Sequence, residues 1–357
     1  MQNFNKSLIL IAPLDWGLGH TTRCIPIIIT LKKANYDVVV AACAKQKNLL
    51  QQEFSDLRYI DLAGYNISYS KNKWFFIAKM ILQIPKILWC IYKENKWLNK
   101  IVEQEKIDVV ISDNRYGLYS KKIKSIFITH QLQINTGNSF SELVLQKINY
   151  YFINKFNCCW VPDLLGENNI AGNLSHPKKM PKTPVKYIGI LNRFNKIETE
   201  IKYDLCVLLS GPEPQRTLLE NKLLQQLKNI KNKKILFVRG LPNAIENIVH
   251  SNCTIKNHLA GKELQEAICS SNIIVARSGY TTVMELLSLQ KKMILIATPM
   301  QTEQEYLAMY LANKKYCISY TQNKINIVDA FNKAIQFNYE SIGNIVFDEN
   351  LILENLK

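Results

Sequence analysis

The sequence predicts two doubly wound α/β domains in one chain, and three observations carry that prediction. Short β-branched runs, mostly apolar on both faces, alternate with longer stretches of helical period, as in parallel sheets covered on both sides. The alternation occurs twice, before and after a segment at 166–184 that is rich in Gly, Asn, Pro and Lys and has no regular period. The length, 357 residues, is too great for one ordinary core and suits two domains of ~150–180 residues.

In the first half the strand runs are SLILIA (7–12), YDVVVAA (36–42), LRYIDL (57–62), IDVVIS (107–112), KSIFITH (124–130) and CCWVPD (158–163). In the second they are YDLCVLLS (203–210), KKILFVRG (233–240), CTIKNHL (253–259), NIIVARS (272–278), KKMILIATP (291–299) and YCISY (316–320). The expected boundaries are a first domain over 1–175, a linker over 176–199, a second domain over 200–340 and a helical tail over 341–357. Phe347, Leu351, Ile352 and Leu356 set the period of the tail. One segment departs from the pattern. WFFIAKMILQIPKILWCIYKENKWL (74–98) is strongly apolar but broken by Lys79, Gln83, Lys86, Lys93 and Lys96. Pro85 is expected to kink or break its helix. No uninterrupted stretch reaches the ~20 residues that span a bilayer. The segment reads either as a helix covering the first sheet or as an amphipathic element that meets lipid.

The nine cysteines form no C-x-x-C pair and read as reduced thiols of a cytoplasmic protein. The first residues carry no apolar signal region. The net charge of +16 suits nucleic acid, an anionic membrane or anionic substrates. The lysines are scattered, however, with no arginine-rich arm or aromatic-interleaved stripe. Compositional bias explains them first, a membrane surface second and nucleic acid last.

Three strand-to-helix junctions carry unusual residues, and ligands of open α/β sheets bind beyond the carboxyl ends of the strands. The first is DWGLGHTTR (15–23). Gly17 and Gly19 permit a tight turn, Thr21 and Thr22 can cap the next helix, and Pro26 places the helix start after Thr22. His20 fits either a packing role or chemistry. The second is SGPEPQR (210–216), where Ser210 and Gly211 can present amides to phosphate and Pro214 would open a helix. The third is ARSGYTTVMELLSL (276–289), followed by TPMQTEQEYLA (298–308). Thr281 and Thr282 open a helix there, and Glu285 reads as a capping-box partner of Thr282 or as a ligand for a ribose. Gln304 and Glu305 begin a further helix.

The stretch from IKNHLAGKELQEAICSSNIIVARSGYTTVMEL to TPMQTEQEYLA resembles the donor-binding half of the family 28 glycosyltransferases. These include the N-acetylglucosamine transferase of peptidoglycan synthesis, which acts on a lipid-linked acceptor. The pattern R-S-G-x-x-T-x-x-E is met by Arg277, Ser278, Gly279, Thr282 and Glu285. Gly17, Gly19 and His20 match the family's first glycine-rich loop, and Ser210 and Gly211 its second. GLGHTTR, SDNRYG (112–117) and SGPEPQR together look like a bacterial subgroup. The chain departs from the family in its short GLGH loop and in carrying Glu305 where a second glutamine is usual.

The resemblance implies a GT-B fold, two Rossmann-like doubly wound domains facing a cleft, and an inverting transfer from a UDP-sugar. It implies that backbone at His258 and Leu259 reads the base and that Glu285 binds ribose. Gly211 with Gly279, Tyr280, Thr281 and Thr282, next to Ser210, Arg277 and Ser278, would hold the pyrophosphate, and Gln304 and Glu305 would touch the sugar. With no D-x-D in the chain, no metal is expected, nor any cofactor beyond the nucleotide-sugar co-substrate. A base on the first domain is needed. His20 is the first candidate, and Asp113 and His130, at strand ends, are alternatives. Asp15, Trp16, Gly17, Gly19, Arg23, Asn114 and Arg115 are the candidate acceptor-binding residues, with Arg115 either meeting an anionic group or lying idle on the surface. The expected partners are a UDP-sugar, a glycan or lipid-linked acceptor and an inner-leaflet surface, with the protein a monomer or weak dimer. A UDP-sugar 2-epimerase on the same fold and a non-enzymatic nucleic-acid-binding protein are the rival readings.

Overall fold

The computed structural model describes residues 6–65, 73–246, 248–343, 345 and 347–356, without the side chains of 73–82 and 140. It divides into two compact units, residues 1–193 with 347–357 and residues 194–346. In unit one, β1 (Leu8–Pro13), β2 (Asp37–Ala42), β3 (Arg58–Asp61), β4 (Val109–Asp113), β5 (Lys124–Ile128), β6 (Cys158–Val161) and β7 (Val185–Tyr187) form one sheet. Its order is 3-2-1-4-5-6-7, and all its pairs are parallel. Helices α1 (Leu18–Lys33), α2 (Ala44–Glu53), α3 (Lys73–Glu105) and α4 (Ser139–Ile153) connect the strands. In unit two, β8 (Tyr203–Leu208), β9 (Ile235–Val238), β10 (Cys253–Lys256), β11 (Ser271–Ala276), β12 (Lys292–Ala297) and β13 (Ile318–Thr321) run in the order 10-9-8-11-12-13, again all parallel. Helices α5 (Gln215–Leu227), α6 (Gly261–Cys269), α7 (Tyr280–Ser288), α8 (Thr302–Asn313) and α9 (Ile327–Gln336) cover this sheet. The chain then returns to unit one as α10 (Glu349–Leu356), which packs on α1 with Ile352 and Leu356 buried.

All twelve strand runs of the sequence form strands. The central ones are apolar throughout because both of their faces are buried: residues 9–13 of β1 and 293–297 of β12 are buried without interruption. The cores are continuous. One joins Leu10, Val39, Val110 and Leu98, and another joins Val207, Phe237, Val275 and Phe331. All nine cysteines are free thiols.

The structure corrects four local expectations. β7 lies inside the expected 176–199 linker. This three-residue edge strand directly after Pro184 carries too short an apolar run to announce itself. Helix α1 begins at Leu18 rather than after Thr22, and Pro26 is its ninth residue. The internal proline costs about 3 kcal/mol. Burial of Ile25, Ile27, Ile28 and Leu31 outweighs it at ~1.5–3 kcal/mol per side chain. Helix α3 likewise runs unbroken through Pro85. Pro214 is the N-cap of α5, one residue before the helix.

Each sheet reverses its strand order once, between β1 and β4 in unit one and between β8 and β11 in unit two. Successive connections leave on opposite faces at such a point and open a crevice at the carboxyl ends of the two strands. Pro13 pairs with Asp113 at one of these points and Leu208 with Ala276 at the other. All three junctions singled out in the sequence emerge there.

Candidate active site

In unit one the crevice holds a compact charged cluster. Asp113, the last residue of β4, is fully buried. Arg23, from the second turn of α1, donates through Nε to Asp113 Oδ2 at 2.8 Å and through Nη2 to Asp113 Oδ1. His20 Nδ1 lies 3.2 and 3.3 Å from the two carboxylate oxygens and 2.9 Å from Arg23 Nη2, and Arg23 Nη1 lies 3.0 Å from His130 Nδ1. Burial alone would raise the Asp113 pKa, but Arg23 and His20 hold it down at about 2. The His20 pKa is lowered, first by burial and then by the Arg23 charge. Gly17 makes the turn possible: it is the N-cap residue of α1, and its φ of +77° is a conformation that favours glycine. Trp16 is exposed at the tip of this turn, and Asp15 accepts from the Tyr65 amide at 3.1 Å.

Two expected acceptor contacts are corrected. Arg115 is fully buried rather than on the surface. Its Nε donates to Glu94 Oε1 at 2.7 Å, Nη1 to Pro13 O at 3.3 Å, and Nη2 to Glu94 and to Ala63 O. Glu94 in turn accepts from Tyr65 Oη at 2.5 Å and from the Gly117 amide at 3.2 Å. A guanidinium engaged in this way ties α3 to the ends of β1 and β4 and has no access to an acceptor. Arg23 is also buried, and it works behind His20 rather than in front of it. Asn114, at φ 60°, spends its amide on Ile128 O. His130 is buried against Arg23.

In unit two the crevice holds unsatisfied polar groups. Gly211 has φ +107°, and a Cβ there would lie 3.6 Å from Thr298 Oγ1 and 3.9 Å from Arg277 Nε. Both atoms are buried and have no hydrogen-bond partner among the described residues. Such groups cost free energy unless something satisfies them. Helix α7 starts beside them with Gly279 as N-cap and no side-chain cap. Gly279 has an ordinary φ of −70°, and a Cβ there would meet nothing within 4 Å. Neither its conformation nor its packing asks for glycine. Thr281 and Thr282 occupy the first turn of α7, so Thr282 is inside the helix and is not the cap of a capping box with Glu285, which is buried. The Tyr280 side chain is buried in the core, and Ser278 Oγ donates to Gln304 O at 2.8 Å. His258 is exposed and Leu259 half-buried, just before α6.

Gln304 and Glu305, expected to touch the donor sugar, engage the turn before their own helix. Gln304 Oε1 accepts from the Thr298 amide at 3.0 Å and Glu305 Oε1 from the Met300 amide at 3.1 Å. Met300 is left-handed, at φ 69°. The turn leaves amides without backbone partners, and the first-turn side chains of α8 supply the acceptors. Sequence reasoning missed Thr298, Gln215 and Gln322. The last two reach Arg277 across 62 and 45 residues, separations at which no local pattern signals contact.

Residues 215–339 match the glycosyltransferase family 28 C-terminal domain. The chain is a glycosyltransferase with a family 28 C-terminal domain. Among curated relatives of this glycosyltransferase is the UDP-N-acetylglucosamine–N-acetylmuramyl-(pentapeptide) pyrophosphoryl-undecaprenol N-acetylglucosamine transferase of Clostridium tetani. It is 23% identical over 295 residues, covering 78% of this chain and 74% of the relative. The enzyme of the same name from Finegoldia magna is 24% identical over 360 residues, covering 94% and 89%. The structure of Acinetobacter baumannii MurG aligns over 98% of this chain and 99% of its own with a TM-score of 0.56 and 13% identity. A Listeria monocytogenes structure described as a UDP-N-acetylglucosamine 2-epimerase aligns over 98% and 95% with a TM-score of 0.63 and 11% identity. At these identities the structural likeness shows the fold alone, which is GT-B.

The Arg115–Glu94 pair generates a stability prediction. Arg115→Met strands a buried carboxylate and is expected to cost about 3–5 kcal/mol, measured by denaturant melts. The loss should shrink on acidification, because burial already raises the Glu94 pKa and a protonated Glu94 needs no cation. A variant as stable as the parent at pH 8 would show that the pair is idle.

Proposed function

We propose that the protein transfers a hexose or N-acetylhexosamine from a UDP-sugar to a hydroxyl of a glycan or lipid-linked acceptor by direct, inverting displacement. One observation carries this reading: the unpartnered Arg277 Nε and Thr298 Oγ1 around Gly211, next to the start of α7, whose N-cap is Gly279. A leaving diphosphate seated there would gain a guanidinium, a hydroxyl and helix-terminal amides where its negative charge develops. No metal is required for that stabilisation. Glu285 is assigned to the ribose, and the backbone at His258 and Leu259 to the base. Gln304 and Glu305 act by holding the turn that presents Thr298.

The acceptor half of the chemistry is assigned to unit one. With Nδ1–H directed at Asp113, the His20 ring presents Nε2 as a proton acceptor. Its lowered pKa keeps it neutral, and so able to accept a proton, below the usual imidazole value. Helices α3 and α4 meet through Ile87, Cys90, Ile91 and Phe152 and leave apolar side chains on their outer faces. Trp89 (56% exposed), Tyr92 (55%), Leu143 and Tyr151 are among them, with Lys93 Nζ 3.5 Å from the Trp89 ring centroid and Lys96 Nζ 4.7 Å from that of Tyr92. Aromatic rings with lysines beside them suit the headgroup level of an anionic membrane, where a lipid-linked acceptor would lie. We therefore assign the protein to the cytoplasmic face of a membrane as a peripheral protein. Among the described residues no helix is long and apolar enough to cross one.

Five measurements test these assignments. UDP at ~100 times Kd should stabilise the protein by ~2.7 kcal/mol, and Glu285→Ala and Arg277→Gln should reduce the shift. His20→Ala should keep that shift while turnover falls by about 10²–10⁴, and unchanged turnover would remove His20 as the base. The parent protein incubated with a UDP-sugar but no acceptor should yield no epimer, and epimerised sugar would favour an epimerase instead. The acid limb of the parent's rate profile should have its midpoint below 6.5, since a lowered pKa keeps the imidazole unprotonated to lower pH; a midpoint above that value contradicts the assignment. Finally, Trp89→Glu with Tyr92→Glu should abolish co-sedimentation with anionic vesicles while leaving UDP binding intact. Undiminished co-sedimentation would exclude this face as the contact.

A further inference from the structure

Arg277 makes four hydrogen bonds, all to neutral acceptors. Nη1 donates to Ile296 O at 3.4 Å and to Ala297 O at 3.1 Å; Nη2 donates to Gln215 O at 2.9 Å and to Gln322 Oε1 at 2.6 Å. Among the described residues no carboxylate pairs with it, and burial draws its pKa down to about 10. A buried cation ordinarily has a counter-ion, because desolvation is costly. Elsewhere in the same unit this is so: Glu220 lies between Arg216 and Arg239 and bonds both. Arg277 is the exception, and the residue that decides it is Gln322.

Gln322, one residue past β13, is buried. Its Nε2 donates to Gln215 Oε1 at 2.8 Å, which fixes the amide so that Oε1 faces Arg277. A glutamate there would have almost the same shape and would neutralise the guanidinium. We infer that Gln322 is a neutral positioning residue: with Gln215 it turns the two Nη groups away from the Gly211 crevice, aims Nε into it, and leaves the full positive charge of Arg277 for the donor diphosphate. This rests on the donor site proposed above and adds the device that keeps it poised. A free diphosphate would be recognised by the same chemistry, so the test compares nucleotides that share the nucleoside.

The experiment titrates the full-length protein with UDP and with uridine and records the melting temperature without ligand. Gln322→Glu should weaken UDP by at least about tenfold, the value of a lost charge-assisted bond. Uridine affinity should stay within about twofold of the parent, because no charge meets the nucleoside. The ligand-free melting temperature should hold or rise, because Arg277 gains a counter-ion. Affinity and stability moving in opposite directions is not what a structural defect produces; that would lower stability and weaken both ligands. Gln322→Met, which removes the acceptor without adding charge, should also narrow the UDP-over-uridine preference. If both variants keep the parental preference, the inference is overturned. Arg277→Gln separates the two levels. If it loses the preference while the Gln322 variants keep it, Gln322 is merely structural and the donor site stands. If it too keeps the preference, the diphosphate is not held at Arg277 and both readings fall.

Discussion

A guanidinium taken out of water has to be given a partner, and the protein meets that constraint in three ways. Arg115 has a full carboxylate and two carbonyls, and it is closed to everything else. Arg23 shares Asp113 with His20, so its neutralisation depends on what the imidazole does. Arg277 has only carbonyls and an amide, with one N–H left over. Set side by side, they run from scaffold through poised to open. The order follows distance from solvent-accessible chemistry in each crevice: Arg115 sits behind the strand ends, Arg23 beneath His20, and Arg277 next to the exposed Gly211. Because the sheets reverse where they do, a buried charge at those strand ends is positioned for ligand contact at no further cost in architecture.

How much of this was legible in the sequence depended on the kind of information involved. Strands such as β1 and β12 were readable because burial on both faces leaves no freedom of composition. Helix starts were not: the prolines at 26 and 85 argue for breaks, and only tertiary burial shows that the chain continues through them. The glycines at 211 and 279 stood out equally, yet one is required by a left-handed backbone and the other by nothing inside the protein. Arginines 23, 115 and 277 each follow or precede a strand end and look alike in one dimension. Their roles separate only when their partners are known, and those partners lie on other elements: Glu94 on α3, Asp113 on β4, Gln322 beyond β13. Long-range partnering is what a linear pattern does not contain.

The high positive charge resolves along similar lines. Many lysines are occupied locally. Lys32 pairs with Asp56, Lys122 with Glu103, and Lys291 bonds the carbonyls of Cys269 and Ser271. The two exposed ion pairs among these are worth little. Lysines 93, 96 and 155 lie over aromatic rings on α3, α4 and the loop after β4. A charge resting on a ring that is itself exposed marks a surface amphipathic at the scale of single side chains. A nucleic-acid footprint has a different form, a continuous basic track.

In the proposed base role the most demanding atom is His20 Nδ1. Asp113 oxygens at 3.2–3.3 Å ask it to carry a proton, and Arg23 Nη2 at 2.9 Å asks it to carry a lone pair. One nitrogen cannot do both. If Arg23 prevails, the proton sits on Nε2 and the ring is inert toward a hydroxyl. If Asp113 prevails, Nε2 is open. Arg23 already gives Asp113 two donors, so its claim on the imidazole is secondary, and the proposed base role requires the tautomer with the proton on Nδ1, facing the carboxylate. The arginine then serves a second purpose. It makes an imidazolium uncomfortable, so the proton taken from an acceptor is not held for long. A base that is weak in this way suits a step in which the hydroxyl needs to lose its proton only as the sugar arrives, and the diphosphate's departure, rather than prior ionisation, drives the transfer.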